Sequence, residues 1–230
     1  MKLFKLSVVF AVLSWSWQSW ANHHEEVVAD SNHYVLHSIY EIAYGQDPDT
    51  LEAELVTYQK GQEALGFNNC GLYKHEYGSQ RAFYTFCYFN DFDQFGAIMK
   101  KAEAAGTGTG AQNFATHSDN ILEVQQRNLK ASPDRVAYMT WRFGPYLSLA
   151  DRQARADQLF DVFSRAFGEC NLYHHAWGSD LGHYMSCGFK DYTDFGKKYN
   201  AVNKILSDEL MDAKLDILEH SDELLIKIMD

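Results

Sequence analysis

The chain has 230 residues, 46% hydrophobic, 22% charged and 15% aromatic, which is enough apolar material for one or two folded domains. Its formal charge is −11, and because Lys2 and Lys5 are the only charges in the first 21 residues, the remainder carries −13. An acidic chain without a basic cluster is unsuited to nucleic acid, where Lys and Arg must neutralise phosphate, and unsuited to anionic lipid.

Residues 1–21 read as a signal peptide. Lys2 and Lys5 give the positive start, Leu6 to Leu13 the short apolar core, and Ser19-Trp20-Ala21 the small residues of a cleavage site. That run is too short to span a bilayer, so a periplasmic or secreted protein is expected, with no membrane insertion after cleavage. Cleavage after Ala21 would leave Asn22-His23-His24 at the terminus. A free amine with His24 at the third position resembles an amino-terminal copper or nickel site, a square-planar nitrogen set. The plainer alternative is that residues 22–32 form a flexible acidic tail.

The rest is one unit written twice, over residues 33–128 and 134–230. From 67–96 against 167–196, 13 of 30 positions are identical without a gap. In each copy a β-branched and aromatic segment opens the unit: Tyr34 to Tyr44, and Arg135 to Phe143. A helix follows. Asp49 or Thr50 can cap Leu51 to Leu65, Ser148 can cap Leu149 to Phe167, and Gly66 and Gly168 fit their ends.

Next comes a hairpin. Gly78-Ser79 and Gly178-Ser179 are two-residue turns, and counting outward from each places Cys70 opposite Cys87 and Cys170 opposite Cys187. The count puts each pair at a non-hydrogen-bonded site, where Cα atoms are closest and a disulfide can form. Export permits the oxidation. The spacing is not that of a Cys-x-x-Cys redox motif.

Asp91 and Asp191 can cap a second helix, with Phe92 or Tyr192 and Phe95 or Phe195 in its first turns. Last strands are expected over Ile121 to Gln126 and Leu224 to Met229. The preceding His117-Ser118-Asp119 and His220-Ser221-Asp222 read as turns, beside the end of strand one and the Cys70–Cys87 end of the hairpin. Three consecutive residues cannot form a catalytic triad. The order β-α-β-β-α-β, twice, gives an α+β fold of two tandem ferredoxin-like repeats.

With its short aromatic helix entered as Phe89-Asn-Asp91-Phe-Asp-Gln-Phe95 and Phe189-Lys-Asp191-Tyr-Thr-Asp-Phe195, the unit resembles the dimeric α+β barrel superfamily. That group includes antibiotic-biosynthesis monooxygenase-like, haem-degrading and NIPSNAP-like proteins. The resemblance covers nearly all of the chain beyond the leader. It implies two sheets packed face to face, here closed as a barrel within one chain, and brings no catalytic set to carry over.

Strand alternation puts Cys70, Leu72, Phe83 and Cys87 on one hairpin face, and Tyr73, His75, Tyr77, Tyr84 and Phe86 on the other. The second copy matches with Tyr173, His175, Trp177 and Tyr184. His75 faces Ala82 and His175 faces Gly182, leaving room over each imidazole. Such a wall would bind a small apolar or aromatic ligand, ligate haem iron, or offer His75 and His175 as general bases. The competing reading is an inter-sheet core, since cross-strand aromatic pairs are ordinary sheet stabilisers. No nucleotide loop, dinucleotide fingerprint, HExxH or Cys₄ set is present. The functional expectation is therefore an exported small-molecule binder of monooxygenase-like or haem-handling kind. The alternatives are a non-catalytic structural or interaction module and copper or nickel binding at the amino terminus.

Overall fold

A computed structural model describes residues 32–78, 80–106, 111–129, 133–178 and 180–229. The first repeat runs β1 (Tyr34–Ile42), α1 (Pro48–Leu65), β2 (Asn69–Gly78), β3 (Ala82–Phe89), α2 (Phe92–Ala105) and β4 (Phe114–Arg127). The second runs β5 (Arg135–Phe143), α3 (Leu149–Phe167), β6 (Cys170–Gly178), β7 (His183–Phe189), α4 (Tyr192–Glu209) and β8 (Ile217–Met229). The expected α+β order is present in both.

Helix starts follow their caps. Ser148 accepts from the Asp151 amide at 3.1 Å, Asp91 from Gln94 at 2.8 Å and Asp191 from Asp194 at 2.9 Å. In α1 the cap is Asp47, not Asp49 or Thr50. Pro48 fits the first helical position, where no N–H is needed, so the helix starts three residues earlier than the apolar pattern alone would place it.

Within each repeat the strand order is that of a ferredoxin-like sheet, β4-β1-β3-β2 and β8-β5-β7-β6. The sheets close on each other because β4 pairs with β6 and β8 with β2, giving a closed barrel. The helices cover the outside. Beneath them lie Leu51, Leu55, Leu72, Phe83 and the Cys70–Cys87 disulfide in one half, and Leu159, Phe163, Leu172, Met185 and Cys170–Cys187 in the other. Both disulfides take the predicted pairing, at Cα–Cα distances of 4.1 Å.

The closing strands are longer than expected. His117-Ser118-Asp119 and His220-Ser221-Asp222 are not turns but lie inside β4 and β8, which run 14 and 13 residues. His117 pairs with Tyr40 and His220 with Trp141. Tyr40 neighbours Phe83 rather than Cys87, so these residues sit toward the turn end of the hairpins, not the disulfide end. Polar residues persist in strand there because that end of the barrel opens to solvent.

Candidate functional site

The inward hairpin face falls where alternation predicts. Tyr73, Tyr84, Tyr173 and Tyr184 are buried in the barrel with Phe86, Tyr138, Val35, Val136, Leu122 and Leu225. An eight-stranded barrel is just wide enough to be filled by its own side chains, and a tyrosine or phenylalanine from most strands fills this one. The rings pack edge to face, Tyr73 on Phe86 at 5.8 Å and Tyr84 on Tyr138 at 5.8 Å. Some hydroxyls pair internally, Tyr88 with Tyr173 at 2.9 Å and Tyr173 with Ser186 at 3.3 Å, whereas that of Tyr84 does not.

At the centre is a histidine that sequence reasoning missed. His37 is fully buried and stacks on Phe86 at 4.6 Å. Its Nδ1 lies 3.0 Å from the Thr85 carbonyl, which can only accept, so Nδ1 carries the proton. Nε2 then accepts from the Tyr138 hydroxyl at 2.9 Å. Burial pushes the imidazole down to about 4, so it is neutral at ordinary pH. His37 and Tyr138 are the fourth residues of β1 and β5, so the bond joins equivalent positions of the two repeats. Aligning the first strands would have revealed this pair.

The two predicted histidines sit in the barrel wall in different states. His75 Nδ1 meets the buried Glu223 carboxylate at 3.0 Å. The position equivalent to Glu223 is Asn120, and the Nδ1 of His175 is buried without a hydrogen-bond partner. The room expected over His175 is occupied: a Cβ at Gly182 would stand 3.2 Å from the Thr140 methyl and 3.4 Å from the Tyr184 ring. Trp177 leaves the inner face altogether and is 74% exposed. A bulge between His175 and Trp177, repeated between His75 and Tyr77, breaks the two-residue alternation and turns both aromatic rings outward. The fully formed hairpin faces therefore end at the histidines.

An apolar space lies on the other face. A cavity of about 420 Å³ sits between the second sheet and α3 and α4, with Met139, Trp141, Phe163, Tyr199 and Leu206 among its walls and His220 at its rim. The lining is aromatic and aliphatic, with few polar groups on one side, the usual composition of a small-molecule site. His220 stands with its Nε2 3.5 Å from Asp222. At the corresponding place in the first repeat, Phe114 and His117 pack on Tyr40 at 5.4 and 5.6 Å. Ile217, a smaller side chain, stands where Phe114 would be and forms part of the cavity wall.

The lining of this cavity contains no Lys or Arg to meet haem propionates, and its single histidine is a partly exposed rim residue beside a carboxylate. These residues do not fit a haem. Among the described residues no cluster of three His, Cys, Asp or Glu has metal-binding geometry, and no helix is long and apolar enough to cross a membrane. Asn22 and His24, the amino-terminal copper or nickel candidate, lie outside the described residues, as does the signal segment.

No protein-family model matches the chain, and no curated protein matches it in sequence. Solved structures do share the fold. A candidate monooxygenase from Lactobacillus acidophilus NCFM superposes with a TM-score of 0.57 at 9% identity, over 85% of this chain and 94% of that one. A candidate monooxygenase from Fusobacterium nucleatum subsp. nucleatum gives 0.56 at 13% identity, over 86% and 94%. An anthrone oxidase-like protein gives 0.56 at 6% identity, over 86% and 92%. The architecture is thus the α+β barrel that the sequence resembles, with both halves in one chain.

Proposed function

We propose that this chain is an exported small-molecule-binding protein whose ligand, flat and largely apolar, sits beneath α3 and α4. The observation that carries the reading is the asymmetry between repeats. Where the first repeat packs Phe114 and His117 on Tyr40, the second has the smaller Ile217 beside an apolar cavity. Two disulfides and an acidic surface suit an oxidising compartment outside the cytoplasm.

The test is titration with N-phenyl-1-naphthylamine, a neutral aromatic dye of about 17 non-hydrogen atoms. At about 0.3 kcal/mol per atom it would bind with a Kd of roughly 0.2 mM. Leu206→Trp, which fills the cavity from the partly exposed side of α4, is expected to abolish the fluorescence enhancement while far-UV circular dichroism is unchanged. Equal enhancement in the wild type and this variant would favour a non-catalytic structural module.

A second reading makes the bound molecule a substrate. His220, steadied by Asp222, is placed to take a proton from an activated CH₂ group at the rim. Dioxygen would then convert R₂CH₂ to R₂C=O and water, without a cofactor, in keeping with the monooxygenase-like fold. Anthrone is the appropriate probe, with oxygen uptake as the readout. Uptake unaffected by His220→Ala would remove His220 from any such reaction.

A further inference from the structure

A second recess lies at the turn end of the barrel, on the pseudo-twofold axis, where equivalent residues of the two repeats face each other. It measures about 320 Å³, and Tyr84, Tyr184, Arg142, Asp180, Glu219 and Glu223 are among its walls. It shares His220 and Glu223 with the apolar cavity but differs from it in chemistry, being lined mainly by polar groups.

Duplication would have made the two sides alike, and the tyrosines have remained so. The polar positions have not. Where the first repeat has Gln80 and Asn120, the second has Asp180 and Glu223. Asn120 and Glu223 do the same structural work, each accepting from the backbone amide beyond the opposite hairpin turn: Asp180 N at 3.1 Å and Gln80 N at 3.3 Å. An amide suffices for that task, so the charge of Glu223 is not required by it; the other carboxylate oxygen of Glu223 meets His75 Nδ1 at 3.0 Å. Arg142 is held by Asp180 at 2.6 Å and Glu219 at 2.8 Å. The wall therefore has three acids against one arginine, with His220 beside them and His75 against Glu223.

An independent observation points to a missing guest. The Tyr184 hydroxyl donates to the Asp180 carbonyl at 3.1 Å. Its counterpart, Tyr84, is 1% exposed and lines the same recess, yet its hydroxyl has no hydrogen-bond partner. Buried hydroxyls are normally paired, and an unpaired one costs stability that a bound group would recover.

We propose that this recess binds a small primary ammonium compound. Its N–H groups would donate to the Tyr84 hydroxyl oxygen and the Glu223 carboxylate, and its alkyl part would lie against the tyrosine rings, whose faces attract cations. An anion of the same size would meet a surplus of carboxylates.

The experiment is calorimetric titration of the full disulfide-bonded chain with n-butylammonium chloride at low salt, alongside n-butanol and butyrate as neutral and anionic isosteres. The amine is expected to bind at least about tenfold more tightly than either. Glu223→Gln, which can still accept from the Gln80 amide, is expected to weaken it by about tenfold or more. Tyr84→Phe is expected to weaken it several-fold and, by removing an unpaired hydroxyl, to raise the Tm of the unliganded protein. Leu206→Trp, which blocks only the apolar cavity, is expected to leave amine binding intact, so this assignment and the one for that cavity stand or fall separately. Butanol binding as well as the amine, Tyr84→Phe lowering the Tm without changing affinity, or loss of amine binding in Leu206→Trp would each overturn the assignment.

Discussion

The buried His37 gives the sharpest quantitative expectation. In the folded chain its imidazole is held neutral, its pKa lowered by burial from 6.5 to about 4, while the backbone bond to Thr85 opposes the shift only partly. In the unfolded chain the ring protonates below about 6.5. Unfolding therefore takes up a proton between those values, and stability falls as the pH falls through that window. Each pH unit is worth about 1.4 kcal/mol per group, so His37 alone withdraws roughly 3 kcal/mol between pH 6.5 and 4. Above pH 7 its contribution is complete and flat. His37→Gln isolates the effect. Glutamine cannot titrate, its NH₂ can donate to the Thr85 carbonyl, and its oxygen can accept from Tyr138, which keeps both bonds of the neutral imidazole. Urea unfolding of the oxidised protein at a series of pH values is the assay. The wild type is expected to lose roughly 3 kcal/mol more than the variant on going from pH 7 to pH 4. Parallel stability curves would refute the reasoning, since they would mean that the folded barrel accepts the proton as readily as the unfolded chain.

Further outcomes follow from the same geometry. Burial likewise lowers His183 to about 4, so His183→Gln is expected to remove a comparable part of the acid sensitivity, read in the same titration. Tyr138→Phe leaves the His37 Nε2 buried without a donor and is expected to cost about 1–3 kcal/mol in urea unfolding. Gly78 has φ +139°, and a Cβ there would collide with the Glu223 carboxylate, so Gly78→Ala is expected to lower stability by more than about 1 kcal/mol, measured as a fall in Tm. Each disulfide joins cysteines 17 residues apart, and replacing one pair by alanine is expected to cost roughly 3 kcal/mol in the chain-entropy account.

The hairpins were legible because two unrelated signals agreed: the turn residues set a register, and the cysteines fell opposite each other in it. The inward and outward faces were legible from alternation as far as His75 and His175. Beyond those residues a bulge reverses the sense of the chain, and nothing in Tyr77 or Trp177 announces it. The expectation of a ligand among the inward tyrosines rested on local faces alone. How full a barrel is depends on the strand number and on what all the strands contribute, and both appear only after closure. The apolar cavity was hidden for a similar reason. It is walled by strand residues such as Trp141 and Ile217 and by helices that pack on them from far along the chain. Polar residues at 117–119 and 220–222 suggested turns, because local propensity cannot report that a strand continues to the solvent-facing end of a barrel.

The most direct measurement of the central claim is a two-dimensional amide NMR map of the oxidised protein titrated with N-phenyl-1-naphthylamine. Shift changes are expected to concentrate on α3, α4 and the facing part of β5, around Trp141, Phe163, Tyr199 and Val202, with α1 and α2 unmoved. Changes spread equally over both repeats, or confined to the strand segment around the exposed Trp177, would contradict it.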